Sequence, residues 1–208
     1  MYLYSREITL SNQLAALTAK EIAEHLSATR NSEVALYAVA YSPGWGRVTF
    51  SSWWEVMASL DTAMLEANED AKYLELSLAL APSVVAVNDV LLDVVFTTQE
   101  ATEMEMPNIV WSVGGTAVSS RAVEAAMSGI ELCQAWKQAT GTDSTFGRAV
   151  TGPFGAIGWL SGFENMGEFD AAWTASGADE NWITTLTGSQ ENFGQDFGSG
   201  TSTLYRKI

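Results

Sequence analysis

The chain has 208 residues, 47% of them hydrophobic and 17% charged, and 25 acidic against 10 basic side chains give a formal net charge of −15. That much apolar material argues against a disordered chain, and so few cations argue against nucleic acid or an anionic membrane surface as partner, because both are bound through clustered Lys and Arg. A single cysteine leaves no intrachain disulfide and no thiolate metal cluster.

The start, Met1 to Glu7, has neither a basic n-region nor an apolar h-region, and the apolar run Val84 to Phe96 is interrupted by Asn88, Asp89 and Asp93. The expectation is a soluble, cytoplasmic protein with no secretory signal and no bilayer span. Residues 2 to 9 alternate as a strand does, with Tyr2, Tyr4, Arg6 and Ile8 on one face. Ser11 or Asn12 can cap a helix running to about Thr29, with Leu14, Thr18, Ile22 and Leu26 as its buried stripe. Glu33 to Tyr41 and Arg47 to Ser51 read as a hairpin around Ser42-Pro43-Gly44. A helix follows from Ser52, and a second piece starts at Asp70 and ends at Pro82. Val90 to Thr98 closes the half as a strand, and Gln99 to Asn108 connects it to the next.

The second half replays this order. Residues 45 to 74 and 154 to 183 correspond at a constant offset of 109, pairing Trp45 with Phe154, Phe50 with Trp159, Met57 with Met166, Asp61 with Asp170, Asp70 with Asp179 and Tyr73 with Trp182. Strands at Ile109 to Val113, Phe146 to Val150, Ala156 to Leu160 and Thr201 to Ile208, with helices at Ser119 to Thr140, Glu164 to Thr174 and Asp179 to Leu186, make a second βαββαβ unit. The fold class expected is α+β, with repeats at 1–104 and 105–208. A Gly-rich acidic stretch at 187–200 is where the copies diverge most. At the same offset, Tyr37 pairs with Phe146, Phe96 with Tyr205 and Tyr2 with Trp111, so each sheet is expected to carry aromatic residues on the face away from its helices.

Two βαββαβ repeats of about 100 residues with aromatic strands and a split second helix resemble the dimeric α+β barrel superfamily in a fused, tandem form. The resemblance implies antiparallel sheets closing into an α+β barrel with helices outside. It also implies a small molecule in the lumen or at its end. The superfamily contains cofactor-independent monooxygenases acting on polyketide quinones, haem-dependent enzymes, isomerases and dehydratases, and stress-induced proteins.

The function expected is therefore a small-molecule-binding barrel, a cofactor-independent monooxygenase or isomerase acting on an aromatic or enolisable substrate. The alternatives are a non-catalytic stress-response or assembly protein with a packed barrel core, and third a haem-binding barrel. The ligand-binding candidates are Arg148, Arg6, Tyr37, Tyr41, Phe50, Phe146, Trp159 and Tyr205, the arginines serving as cations for an anionic or enolate oxygen. Arg148 pairs with Val39 at the offset and His25 with Gln134, and such divergence marks positions to inspect. No metal is expected and no cofactor, since His25 is the sole histidine and thus the only candidate haem ligand. Cys133 reads as a small core residue, and Glu55/Glu164 and Asp61/Asp170 as structural. The expected partners are a small apolar or aromatic molecule and, through apolar surface, a second copy in a homo-oligomer.

Overall fold

The computed structural model describes residues 1–30, 32–40, 46–99, 106–193 and 201–208. Tyr41 and residues 194–200 of the divergent stretch lie outside the described residues. Eight strands and six α-helices follow in the order β1 (Tyr2–Leu10), α1 (Ala15–Thr29), β2 (Ala35–Val39), β3 (Arg47–Trp54), α2 (Met57–Glu69), α3 (Ala71–Leu80), β4 (Val84–Thr97), β5 (Ile109–Thr116), α4 (Ala122–Thr140), β6 (Ser144–Ala149), β7 (Ala156–Phe163), α5 (Met166–Ala178), α6 (Glu180–Ser189) and β8 (Ser202–Lys207). This is βαββαβ twice, with the second helix of each copy split. The backbone pairing runs β1-β3-β2-β8-β5-β7-β6-β4 as a closed barrel, and the ladders within each repeat are antiparallel. Among the described residues no helix is long and apolar enough to cross a membrane.

Two compact units divide the chain, Met1–Leu91 with Arg206–Ile208, and Leu92–Tyr205. The break falls inside β4, and β8 is divided likewise.

In the first unit, Asn12 Oδ1 accepts a hydrogen bond from Ala15 N and starts α1. The stripe that α1 buries is Ala15, Ala19, Ile22, Ala23 and Leu26; Leu14 is 77% exposed, one position off the expected stripe. Small alanines let α1 lie close on Ile8, Leu10, Leu36, Val48 and Phe50, with Leu76 and Leu80 of α3 beside it. Asp70 caps α3 by accepting from Lys72 N and Tyr73 N. β4 begins at Val84, six residues before the expected Val90, because the Pro82 turn is brief and β-branched valines continue straight into extended backbone.

In the second unit, α4 packs Ala125, Leu132 and Cys133 on Phe146, Ile157 and Trp159. The approach is so close that a Cβ at Gly129 would enter the Phe146 ring. A second aromatic group joins Trp111, Trp136, Phe163, Phe169 and Trp182, in which Trp136 lies 4.9 Å from Trp111 and 5.3 Å from Trp182 between ring centroids.

The ladders correct the alignment of the two copies. Tyr2 opposes Trp54 while Ile109 opposes Phe163, so Tyr4 corresponds to Trp111 and Arg6 to Val113. Leu36 opposes Phe50 and Phe146 opposes Trp159, so Phe146 corresponds to Leu36, not Tyr37, and Arg148 to Ala38, not Val39. The buried stripes of α1 and α4 superpose Ala15 on Ala125, Ile22 on Leu132 and Leu26 on Trp136, which sets His25 against Ala135 instead of Gln134. A three-residue difference in loop length between the first strand and first helix of each copy, and a one-residue difference in the hairpin, thus shift the offset between elements. In a strand a shift of one residue exchanges the two faces.

Cys133 is fully buried, its Sγ 3.6 Å from Ser144 Oγ, and burial pushes its thiol up to about 12. A thiol so protonated is a poor nucleophile. Native protein is expected to react with a disulfide reagent only at the rate of unfolding, with one thiol per chain released in denaturant; rapid native labelling would contradict the packing.

Candidate functional site

Of the residues singled out from the sequence, Phe50, Phe146 and Trp159 lie on the helix-facing side of their sheets. Trp159 Nε1 donates to Gly129 O of α4 at 3.2 Å. The expected placement on the face away from the helices fails for these three and likewise for Tyr2, Trp111 and Phe96, because the helices pack on the aromatic face of the strands, and the one-residue change in the hairpin leaves Tyr37 out of register with Phe146. Tyr37, next to the helix-facing Leu36, does lie on the face away from the helices, where burial raises its phenol above the usual range. Tyr205 follows Leu204, which packs into the aromatic group of the second unit, and so takes the opposite face as well. Arg148 is 67% exposed and donates from Nη2 to Asp93 Oδ2 at 2.8 Å.

Arg6 is the candidate that enters a cluster. Its neighbours along β1 on the same face, Tyr2 and Tyr4, pack on Trp54, Leu60, Ala63 and Leu91. Arg6 donates from Nε and Nη2 to the two oxygens of Asp89, both at 2.8 Å, and Tyr4 Oη donates to Asp89 Oδ1 at 3.1 Å. Such a two-point fork fixes both planes. Arg6 and Asp89 remain 34% and 42% exposed, open to a small molecule. The Arg6 bond, with its charge and the Tyr4 bond, holds the Asp89 carboxyl below its usual range against the opposing effect of burial. The Tyr4 phenol is pushed above its usual range, chiefly by burial.

Tyr73 of α3 is close enough to influence the ionisation of Tyr4, Arg6 and Arg30. Arg30 donates from Nη2 to Ala63 O at 2.8 Å. Behind them His25 Nε2 meets Asp70 Oδ2 at 2.7 Å. Asp70 is held below its usual range by the Tyr73 amide and by His25; an ionised carboxylate only accepts, so Nε2 carries the proton. With Nε2 engaged and Asp70 also occupied as a helix cap, the pair fits a structural role better than an axial haem ligand. Among the described residues no three His, Cys, Asp or Glu side chains are grouped to hold a metal ion.

The corresponding place in the second unit is apolar: Trp111 stands for Tyr4, Val113 for Arg6, Trp182 for Tyr73 and Ala135 for His25. One copy keeps acid, base and cation where the other stacks indoles. The sequence held one signal for this, a carboxylate at Asp89 inside a run of valines, but its partners are about 85 residues away in the chain.

No protein-family model matches the chain, and no curated protein matches its sequence. Its fold is shared with solved structures. An anthrone oxidase-like protein is 10% identical at a TM-score of 0.67, over 100% of this chain and 91% of that one. A provisionally named monooxygenase from Lactobacillus acidophilus NCFM is 7% identical at 0.68, over 99% and 93%, and one from Fusobacterium nucleatum is 6% identical at 0.72, over 100% and 92%. The chain shares with them the fold of an α+β barrel, eight strands closed into one barrel from a βαββαβ order that occurs twice.

Proposed function

We propose that the first unit carries out cofactor-independent oxygenation or isomerisation of a small aromatic or enolisable molecule at the Tyr4–Arg6–Asp89 cluster. The observation that carries this reading is the exchange of an ionisable, solvent-reached cluster in one repeat for packed indoles at the same place in the other. The names of the structural neighbours, one anthrone oxidase-like and two monooxygenases, point to the same class. A substrate whose acidic C–H or O–H proton passes to the Asp89 carboxylate as an enolate or phenolate forms meets, in the Arg6 N–H groups not spent on Asp89, donors suited to that oxygen. Dioxygen is the oxidant in the oxygenase case. Tyr73 and the Tyr2, Tyr4 and Trp54 rings of the same unit suit a flat ring.

The test is oxygen uptake with anthrone, with and without protein. Anthrone-dependent consumption above the spontaneous rate supports the reading. Its absence, together with no proton exchange at the anthrone methylene by NMR, would leave the packed-core, non-catalytic alternative.

The same cluster sets an acid limit on stability. Asp89 and Asp70 have folded-state values below their ordinary value of 3.8, so their contribution is present above that value and lost as pH falls through the lower folded one. The urea midpoint is expected to fall below about pH 4 in the native protein, and to fall less steeply in Asp89→Asn. Equal slopes would remove the carboxylate from the account.

A further inference from the structure

We propose a second ligand site on the opposite face of the same strands, where Arg47 and Thr49 bind a small neutral molecule carrying a carbonyl oxygen beside an N–H or O–H donor. Val48 and Phe50 of β3 and Ile8 and Leu10 of β1 point into the helix-facing core, so Arg47, Thr49, Glu7 and Thr9 share the other face. Thr49 lies directly across from Glu7 on β1 and from Tyr37 on β2, and Arg47 across from Thr9. Two polar atoms here are buried without a hydrogen-bond partner, Thr49 Oγ1 and Arg47 Nε, and Thr49 as a whole is 7% exposed. A buried polar group left unpaired costs on the order of 1–3 kcal/mol, so two of them side by side on one strand mark a place where a ligand oxygen restores what is missing.

Access is provided at the same end of the ladder. A cleft of about 430 Å³ is lined by residues 9–13 together with Gly46 and Arg47. Arg47 therefore forms part of the cleft wall while its Nε is buried. Its Nη2 is already spent on Glu7 Oε2 at 3.3 Å. That pairing decides the ligand's charge: the guanidinium is neutralised on the spot and the chain carries −15 overall, so an anion gains little. A carbonyl oxygen accepting from Arg47 Nε–H and Thr49 Oγ–H, with an adjacent N–H or O–H donated to Glu7, satisfies every group present. A carboxamide has this pattern. Arg6 and Glu7 are consecutive on β1 and face opposite ways, so this site is independent of the Tyr4–Arg6–Asp89 cluster.

The test follows the arginine Nε–H resonances of the whole 15N-labelled chain while benzamide is added, with benzoate in a parallel titration. Arg47→Lys assigns the Arg47 signal, and the Arg6 signal is the internal control. A saturable shift of Arg47 with benzamide, at lower concentration than with benzoate and weakened roughly two- to tenfold by Thr49→Val, is the result expected. The proposal is overturned if Arg47 does not shift saturably, if benzoate binds as tightly, if Thr49→Val leaves the affinity unchanged, or if water alone contacts the Nε–H.

Discussion

Replacing Arg6 by methionine is expected to lower the rate of anthrone-dependent oxygen uptake by about two to three orders of magnitude, the usual consequence of deleting one donor aimed at a developing oxyanion. Methionine keeps much of the apolar stem that covers the sheet while removing both hydrogen bonds to Asp89. Asp89 is then a carboxylate without its principal partner, and its proton affinity rises. The variant should therefore move the acid limb of the pH–rate profile upward as well as lower kcat, which simple loss of packing would not do. Arg148→Met is the control. That side chain is a surface partner of Asp93 in the other unit, and its removal should change the rate by less than twofold, in line with the small worth of exposed ion pairs. If Arg148→Met is the damaging variant and Arg6→Met the silent one, the assignment of the site is wrong.

The largest stability effect is expected in the second unit, at Phe146. Truncation to alanine empties the space between β6, Trp159 and α4, and large-to-small changes of this kind cost about 3–5 kcal/mol. In a chain of this size that is a fall in Tm on the order of 10 °C. Gly129→Ala probes the same contact from the helix side. A Cβ there meets the Phe146 ring itself, and overpacking costs about 1–3 kcal/mol. The two changes are neighbours and should not add: the double variant, in which the new methyl enters the vacated ring space, is expected to be more stable than the sum of the singles predicts. Strict additivity would mean that Phe146 does not face α4.

Phe146 also shows what could be read from the chain and what could not. The duplication was visible because whole elements recur, and Asp70 and Asp179 could be recognised as caps from their place before each α3-like segment, which both fill. A cap needs only local backbone, so sequence suffices. Face assignment failed at Phe50, Phe146 and Trp159 because it depends on register, and register in β6 hung on one residue in a turn. Strand alternation puts the cation Arg6 on the Tyr2–Tyr4 face, yet in the sequence Asp89 is no more than a polar interruption of an apolar run. Nothing local links two residues more than 80 positions apart; their meeting is a property of strand order. Arg47 and Thr49 carry no mark in the sequence for the same reason, since an unpaired buried atom is defined by its surroundings and has no signature in composition.

The sequence by itself determined the element order, the repeat and the α+β class, because hydrophobic periodicity, caps and turn residues act over a few positions. Tertiary structure alone decided which face each aromatic takes, which arginine gains a carboxylate, and that one repeat became polar where its twin became a stack of indoles. Those outcomes rest on cross-strand register and helix docking, where a single residue of loop length reverses a face and contacts form between groups far apart in the chain.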